Sequence, residues 1–351
     1  VCESYNYDVE TGEISGTKSP KSIVSVSSQL LDILNYHTVL LKQGEKLGSN
    51  HYYKTKHGGE IYVGGGAKGA VVAGGSQIDN SLAKGTIKEV FAEKNGHAYR
   101  ISHVIQGATN SVFRTLNEGK YDGVAINEQS RFSEFLNLAN ALGSDPDILG
   151  WAGISAVKND FGVSPQDRYK IFTSTYGSGK EAVNNACLDY NVKFFNTYNY
   201  TLYAPDNAAM AKAYAAGLPR WSEVEALYND GQNESSADKT KAFAMITAIR
   251  NFVRYHFQST ALYADNSIET GTYETMFSDE LGIAQPLTVS GGNGTLTVTD
   301  AAGVAHHVKA NGPQLINKMA RDLWFNAPRT SASAIKTSSF CAVHEITEPL
   351  Y

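Results

Sequence analysis

Tyr200-Thr201-Leu202-Tyr203-Ala204-Pro205-Asp206-Asn207-Ala208-Ala209-Met210 is the stretch on which the reading of this chain turns. Tyr200 to Ala204 has the aromatic and branched residues of a β-strand. Pro205-Asp206-Asn207 supplies a turn and an N-cap, because a short acceptor side chain can take the amide hydrogens that open a helix. Ala208 to Ala216 is alanine-rich and predicts that helix.

Downstream, Asp238 to Phe257 predicts an amphipathic helix, with Phe243, Ile246, Ile249, Phe252 and Val253 on one side. Short strands follow at Leu287-Thr288-Val289, Thr295-Leu296-Thr297-Val298 and His306-His307-Val308, and the chain closes on Phe340 to Ile346. Upstream, Phe132, Phe135, Leu136, Leu138, Ala139 and Leu142 mark one face of another helix, stopped by Ser144-Asp145-Pro146. Between that stop and residue 196 the pattern is mixed and predicts no definite element. Before it, the polar stretch 117–130 reads as a linker. The first hundred residues hold a helix around Leu30, Ile33 and Leu34. Strand-like segments follow at Tyr52–Thr55, Glu60–Val63, Gly69–Val72 and Gln77–Asp79, and Asn95-Gly96 turns into a last strand, His97–Ile105.

Part of this order occurs twice. A helix ends in an aromatic-His pair at Tyr36-His37 and again at Tyr255-His256. Each pair is followed by a Tyr-x-Thr unit, Tyr53-Lys54-Thr55 and Tyr273-Glu274-Thr275, then by glycine-punctuated strands and a final strand. The histidines lie too far apart for a solenoid turn, so the repeating unit is a whole domain.

With these blocks in view the sequence resembles the fasciclin (FAS1) family. Residues 200–210 resemble that family's first signature block, Tyr36-His37 and Tyr255-His256 its central Tyr-His motif, and Asn95-Gly96-His97-Ala98-Tyr99-Arg100-Ile101 its second block. Ser338-Ser339 stands where the second copy would carry Asn-Gly. The resemblance implies an α+β fold: a fasciclin-like β-sandwich with helices packed on one flank, in two tandem copies. The expected division is 1–116, a 117–130 linker and 131–351, with insertions in the second copy. Too few residues precede His37 for the first block, so the first copy is expected to lack its opening third. The function implied is adhesion at a cell surface or in the periplasm, contacting protein or glycan, without catalysis or cofactor. Bacterial members are usually secreted, periplasmic or anchored as surface proteins, and a lipoprotein is among these forms. Cys2 could carry a lipid only as the first residue of a mature chain.

Composition narrows the alternatives. A net charge of −5 and the lack of a basic cluster argue against nucleic acid as the main partner. Lys42, Lys46, Lys54, Lys56 and His57 are spread along a polar edge that reads as solvated. Cys2, Cys187 and Cys341 are scattered, with neither metal-ligand spacing nor a disulfide framework. No apolar run reaches the roughly 18 residues that suggest a membrane span.

Candidate chemistry is sparse. A histidine in a helix's last turn meets the negative end of its dipole and can bond a carbonyl, so His37 and His256, with Tyr36 and Tyr255, have a structural reading beside a binding one. Asp206 and Asn207 likewise read as cap or as ligand contacts. His306 and His307 sit side by side on a strand and point to opposite faces, which prevents joint chelation. His51 and His57 have no carboxylate or thiol at zinc spacing. Gly64-Gly65-Gly66-Ala67-Lys68-Gly69 and Tyr176-Gly177-Ser178-Gly179-Lys180 both fall short of a phosphate loop. Glu223, Glu225, Glu345 and Glu348 form no recognisable acid/base pair. A carbohydrate-active enzyme or its accessory domain is the alternative, and an architectural spacer is a third. Tyr52, Tyr53, Tyr62, Tyr198, Tyr200, Tyr203 and Tyr273 are the pool from which a binding face would be drawn.

Overall fold

The computed structural model describes residues 5–7, 14–16, 23–78, 82–119, 125–160, 162–173, 186–187, 191–195, 198–230, 235–265, 268, 270–279, 281–309, 315–325 and 335–351. Cys2 and the stretch 176–180 lie outside them, as does the side chain of Cys187. Helices and strands are both well represented, giving an α+β chain in two units. The first comprises Val1–Thr109, Ser174–Asp189 and Arg321–Ser339. The second comprises Asn110–Thr173, Tyr190–Ala320 and Phe340–Tyr351.

In the first unit β1 (Tyr5–Tyr7) pairs with β2 (Ile14–Gly16), and α1 (Ile23–Tyr36) follows. β3 (His51–Lys54), β4 (Glu60–Val63), β5 (Val71–Ala73), β6 (Gly85–Glu93) and β7 (Gly96–Ile101) form an antiparallel meander in chain order. Gly64–Gly69 joins two of these strands, so no helix start stands behind it. β6 escapes sequence periodicity because it is exposed on both faces from Lys88 onward. Gln77, expected on a strand, lies instead in a single helical turn, α2 (Gly75–Ile78). The buried Gln77 amide explains this. Its oxygen accepts from the amides of Gly74 and Gln106, and its nitrogen donates to the carbonyls of Ala83 and Val104. Four bonds of this kind outweigh a weak strand propensity.

The second unit opens with α3 (Val112–Leu116), whose Val112, Phe113 and Leu116 enter its core. The described part of 117–130 is tied to the same unit. The Asn117 amide bonds the backbone of Ala125 and Asn127, and Ser130 Oγ donates to the Leu116 carbonyl. α4 (Ser133–Ser144) carries its expected apolar face inward. Asp145, the expected stop, also caps α5 (Pro146–Trp151) by accepting from Asp147 and Ile148. β8 (Phe172–Thr173) pairs with β10 (Asn191–Val192), while β9 (Ala186–Cys187) belongs to the first unit.

β11 (Asn199–Pro205), α6 (Asn207–Ala215), α7 (Trp221–Asp230) and α8 (Ser236–Tyr255) follow. Phe243 is not on the buried face of α8; it is 44% exposed, beside a buried stripe that runs through Ala242, Ile246, Ile249 and Val253. β12 (Phe257–Gln258), β13 (Gly271–Ser278), β14 (Ala284–Gly292), β15 (Thr295–Thr299) and β16 (Ala305–Lys309) run as an antiparallel series. With β18 (Ile335–Ile346) the sheet of the second unit runs β16-β15-β14-β13-β12-β11-β18, while β17 (Lys318–Phe325) pairs with β9 in the first unit.

β11 lies between antiparallel β12 and parallel β18, in register from Asn199↔Phe340 to Pro205↔Ile346. Its two faces feed two cores, as strand alternation requires. Tyr200, Leu202 and Ala204, with Cys341 and Val343 of β18, pack against the helices. Tyr203 and Ile346 join Leu287, Val289, Leu296, Val298 and Val308 from β14 to β16. Strands distant in the sheet order therefore share one core, so the sheet curls back over itself. Among the described residues no helix is long and apolar enough to cross a membrane.

Candidate functional site

His37 ends α1. Its Nδ1 is 2.8 Å from the Ile33 carbonyl, four residues back, and its Nε2 is 2.8 Å from the Ile105 amide. An amide can only donate, so Nε2 accepts and the proton sits on Nδ1, pointing at the helix carbonyl. The neighbouring Tyr36 is buried, its hydroxyl donating to the Glu60 carbonyl at 2.7 Å. Burial raises the Tyr36 phenol well above its ordinary range. A Cβ at Gly74 would stand 2.2 Å from the Gln106 carbonyl oxygen and 3.0 Å from the Tyr36 ring, so the ring is seated where only glycine fits.

His256 repeats the arrangement at the end of α8. Nδ1 is 2.8 Å from the carbonyl of Phe252, again four residues back, and Nε2 accepts from the Leu350 amide at 3.2 Å. Tyr255 donates to the Pro286 carbonyl at 3.3 Å and accepts from the Ala301 amide at 2.8 Å. Each imidazole thus ties a helix end to backbone a few residues beyond a strand, β7 for His37 and β18 for His256. The Tyr-x-Thr units also match: Thr55 donates to Gly59 and Thr275 to Gln285, both at 2.6 Å. His256 is fully buried among Phe135 and Phe252, and that burial lowers its pKa to about 4, with His306 adding to the effect and the Phe252 carbonyl opposing it. His306 lies inward against Asp300 at 2.9 Å while His307 meets Thr297 outside, the opposite faces expected of strand neighbours.

Asp206 caps α6, its carboxylate accepting from the Ala209 amide at 2.7 Å. Asn207 works on a different helix. Its side-chain oxygen accepts from the Glu134 amide in the first turn of α4, and its nitrogen donates to the Ser130 carbonyl and Ser133 hydroxyl. The pair fixes two helix starts at the end of β11. Asp206→Ala should therefore cost about 1 kcal/mol of stability, read as a shifted urea midpoint with an unchanged slope.

The four carboxylates considered in the sequence are engaged separately where their bonds are resolved. Glu345 accepts from the Leu315 amide and from Arg131, Glu348 pairs with Lys212, and Glu223 accepts from the Arg220 amide. Burial raises the Glu345 pKa, with Leu315 and Arg131 opposing. His57 does gain a carboxylate, from a distance in sequence that spacing rules do not reach. Asp32 of α1 contacts His57 and takes a two-pronged bond from Arg321 of β17, Nη1 to Oδ2 at 2.9 Å and Nη2 to Oδ1 at 2.6 Å. Arg321 also donates to Ser338 at 3.0 and 3.1 Å. All four residues belong to the first unit. Among the described residues no cluster of histidine, cysteine and carboxylate could hold a metal ion.

The tyrosine pool divides sharply. Tyr53, Tyr200 and Tyr203 are buried, whereas Tyr198 is 62% exposed. Tyr52 and Tyr62 face each other across β3 and β4 with ring centroids 5.4 Å apart, half-exposed. One cleft went unread in the sequence. It lies in the second unit between α5 and α7, has a volume of about 640 Å³, and includes Asp147, Trp151, Gln166 and Tyr228 in its wall. Asp145-Pro146, which ends α4, also supplies the cap and first residue of the helix carrying Trp151.

No protein-family model matches the chain, and no curated protein matches it. Among solved structures it is similar to a FAS1 domain pair from the insect cell adhesion molecule fasciclin I. The identity is 12%, over 94% of this chain and 86% of that one, with a TM-score of 0.25.

Proposed function

We propose that this chain is a non-catalytic adhesion or binding protein, built as two tandem fasciclin-like copies and acting at the outer cell surface or in the periplasm. The observation that carries the reading is the duplicated histidine clamp. The same two ring nitrogens make the same two backbone bonds at the end of α1 and of α8. Such agreement of sequence motif and bonding supports one architecture used twice, each copy with helices against a sandwich-like arrangement of strands. In this reading Tyr36, His37, Tyr255, His256, Asp206 and Asn207 hold the scaffold, and recognition of protein or extracellular polysaccharide falls to exposed side chains.

The test is a screen of the full chain against a glycan array and immobilised matrix proteins, with glycan turnover followed in parallel. Saturable binding without turnover is the expected result. Turnover would replace the reading with a carbohydrate-active enzyme. Binding to neither arm would leave an architectural spacer.

A further inference from the structure

We infer that the cleft between α5 and α7 is a binding site for a neutral oligosaccharide, with Trp151 and Tyr228 as its stacking wall. The inference rests on the binding reading above and names a ligand class and a place for it. Trp151 ends α5 and Tyr228 lies on α7; their rings meet edge to face, 5.5 Å apart at 76°. Both residues are half-buried and half open to solvent. Around them the wall is formed by Pro146, Gly150, Gly153 and Ala156, whose small or flat surfaces leave the rings accessible to a broad ligand.

The polar groups of the wall define the ligand further. The carboxylate of Asp147, the indole N–H of Trp151 and the hydroxyl of Tyr228 make no hydrogen bond to any described residue. Gln166 is different: its amide nitrogen is spent on the carbonyls of Pro146 and Ile154, so it shapes the floor. One acceptor-only carboxylate, one donor-only indole and one hydroxyl that does both suit a molecule rich in hydroxyl groups. Among the described residues no lysine or arginine lines the cleft, which disfavours phosphates, sulfates and uronic acids. A small cation would satisfy Asp147 but leave most of a 640 Å³ space unfilled. Sites for small organic molecules run from roughly 300 to 1,000 Å³. A pyranose offers an apolar C–H face for the indole and an equatorial rim of hydroxyls for Asp147 and Tyr228. Two or three such rings suit a cleft of this size.

The experiment titrates the full chain with neutral trisaccharides of glucose, galactose and N-acetylglucosamine, and with trigalacturonate, using ligand-observed NMR and calorimetry. At least one neutral trisaccharide should bind saturably, with trigalacturonate at least tenfold weaker. Trp151→Ala should weaken binding at least tenfold, and Trp151→Phe less. Asp147→Asn and Tyr228→Phe should weaken it several-fold with the thermal midpoint unchanged, which separates lost contacts from lost folding. The assignment is overturned if no neutral trisaccharide binds, if trigalacturonate binds as tightly, or if Asp147→Asn and Trp151→Phe leave affinity untouched. Should matrix proteins bind while these sugars do not, the cleft assignment falls and the adhesion reading stands. Should a sugar bind here and be hydrolysed, the reading falls and the site stands.

Discussion

Asp32→Ala is expected to cost the first unit about 3 kcal/mol, because it strips a buried guanidinium of its counter-ion. Arg321 is only 8% exposed, and Asp32 answers both of its outer nitrogens. Burial alone would raise the Asp32 pKa, yet the bonds from His57 and Arg321 hold its carboxyl well below the usual carboxylate range. The pair's contribution is therefore present above the ordinary carboxylate pKa of 3.8 and is lost as pH falls further. Ser338 still accepts from Arg321 in the variant, so the loss is that of an ion pair and not of all Arg321 bonding. Urea denaturation at pH 7, with a probe placed in the first unit, measures it. The double variant Asp32→Ala with Arg321→Met should recover much of the loss, since apolar replacements of buried pairs are often neutral. A single-variant loss below about 1 kcal/mol would show that Asp32 is exchangeable with water there.

Acid should act on the second unit much earlier, between pH 6.5 and about 4. His256 and His344 are both fully buried, and burial holds the pKa of each at about 4 against an ordinary value of 6.5. His344 is kept neutral in the opposite tautomer to His256. Its Nε2 donates to the Leu262 carbonyl at 2.8 Å, and its Nδ1 accepts from the Asn317 amide at 3.3 Å. Above pH 6.5 neither folded nor unfolded chain protonates these rings, and their contribution is complete. Below 6.5 the unfolded chain takes up protons that the folded one refuses, so stability falls until the folded pKa is reached. The size is about 3 kcal/mol for each ring, taking about 1.4 kcal/mol per pKa unit. Glu345, raised by burial, works in the other direction and trims the slope slightly. Urea midpoints of the second unit measured from pH 7.5 to 4 should drop steeply. His256→Gln should start lower and lose about half of that drop. A flat profile across this window would mean that both rings admit a proton without unfolding.

What the sequence disclosed follows from how local each feature is. The strand at 200–204, the Asp206 cap and the helix ending at Tyr255 were legible because propensity, capping and periodicity act over a few neighbours. The opposite faces of His306 and His307 follow from strand alternation alone. Gln77 was misread because its helical turn is imposed by bonds to Ala83, Val104 and Gln106, which no local pattern carries. Phe243 falls beside the buried stripe because the small Ala242, one residue earlier, takes the core position that the larger phenylalanine suggests. The parallel pairing of β11 with β18 and the meeting of Asp32 with Arg321 were invisible for the same reason: the partners are far apart in sequence. The Trp151 cleft was hidden because its two aromatic residues lie on separate helices far apart in sequence.

The late position of β17 and β18 also bears on how this protein is made. Each unit draws on them, the first on Arg321–Ser339 and the second on Phe340–Tyr351. On a ribosome delivering the chain from its amino end, neither unit has its full set of residues until β17 and β18 have been made. β11 must wait for its parallel neighbour while more than a hundred later residues emerge, and such non-local pairing is slow to form. The nascent polypeptide therefore presents unfinished sheet and apolar surface until β18 has emerged, the condition in which holding chaperones matter most.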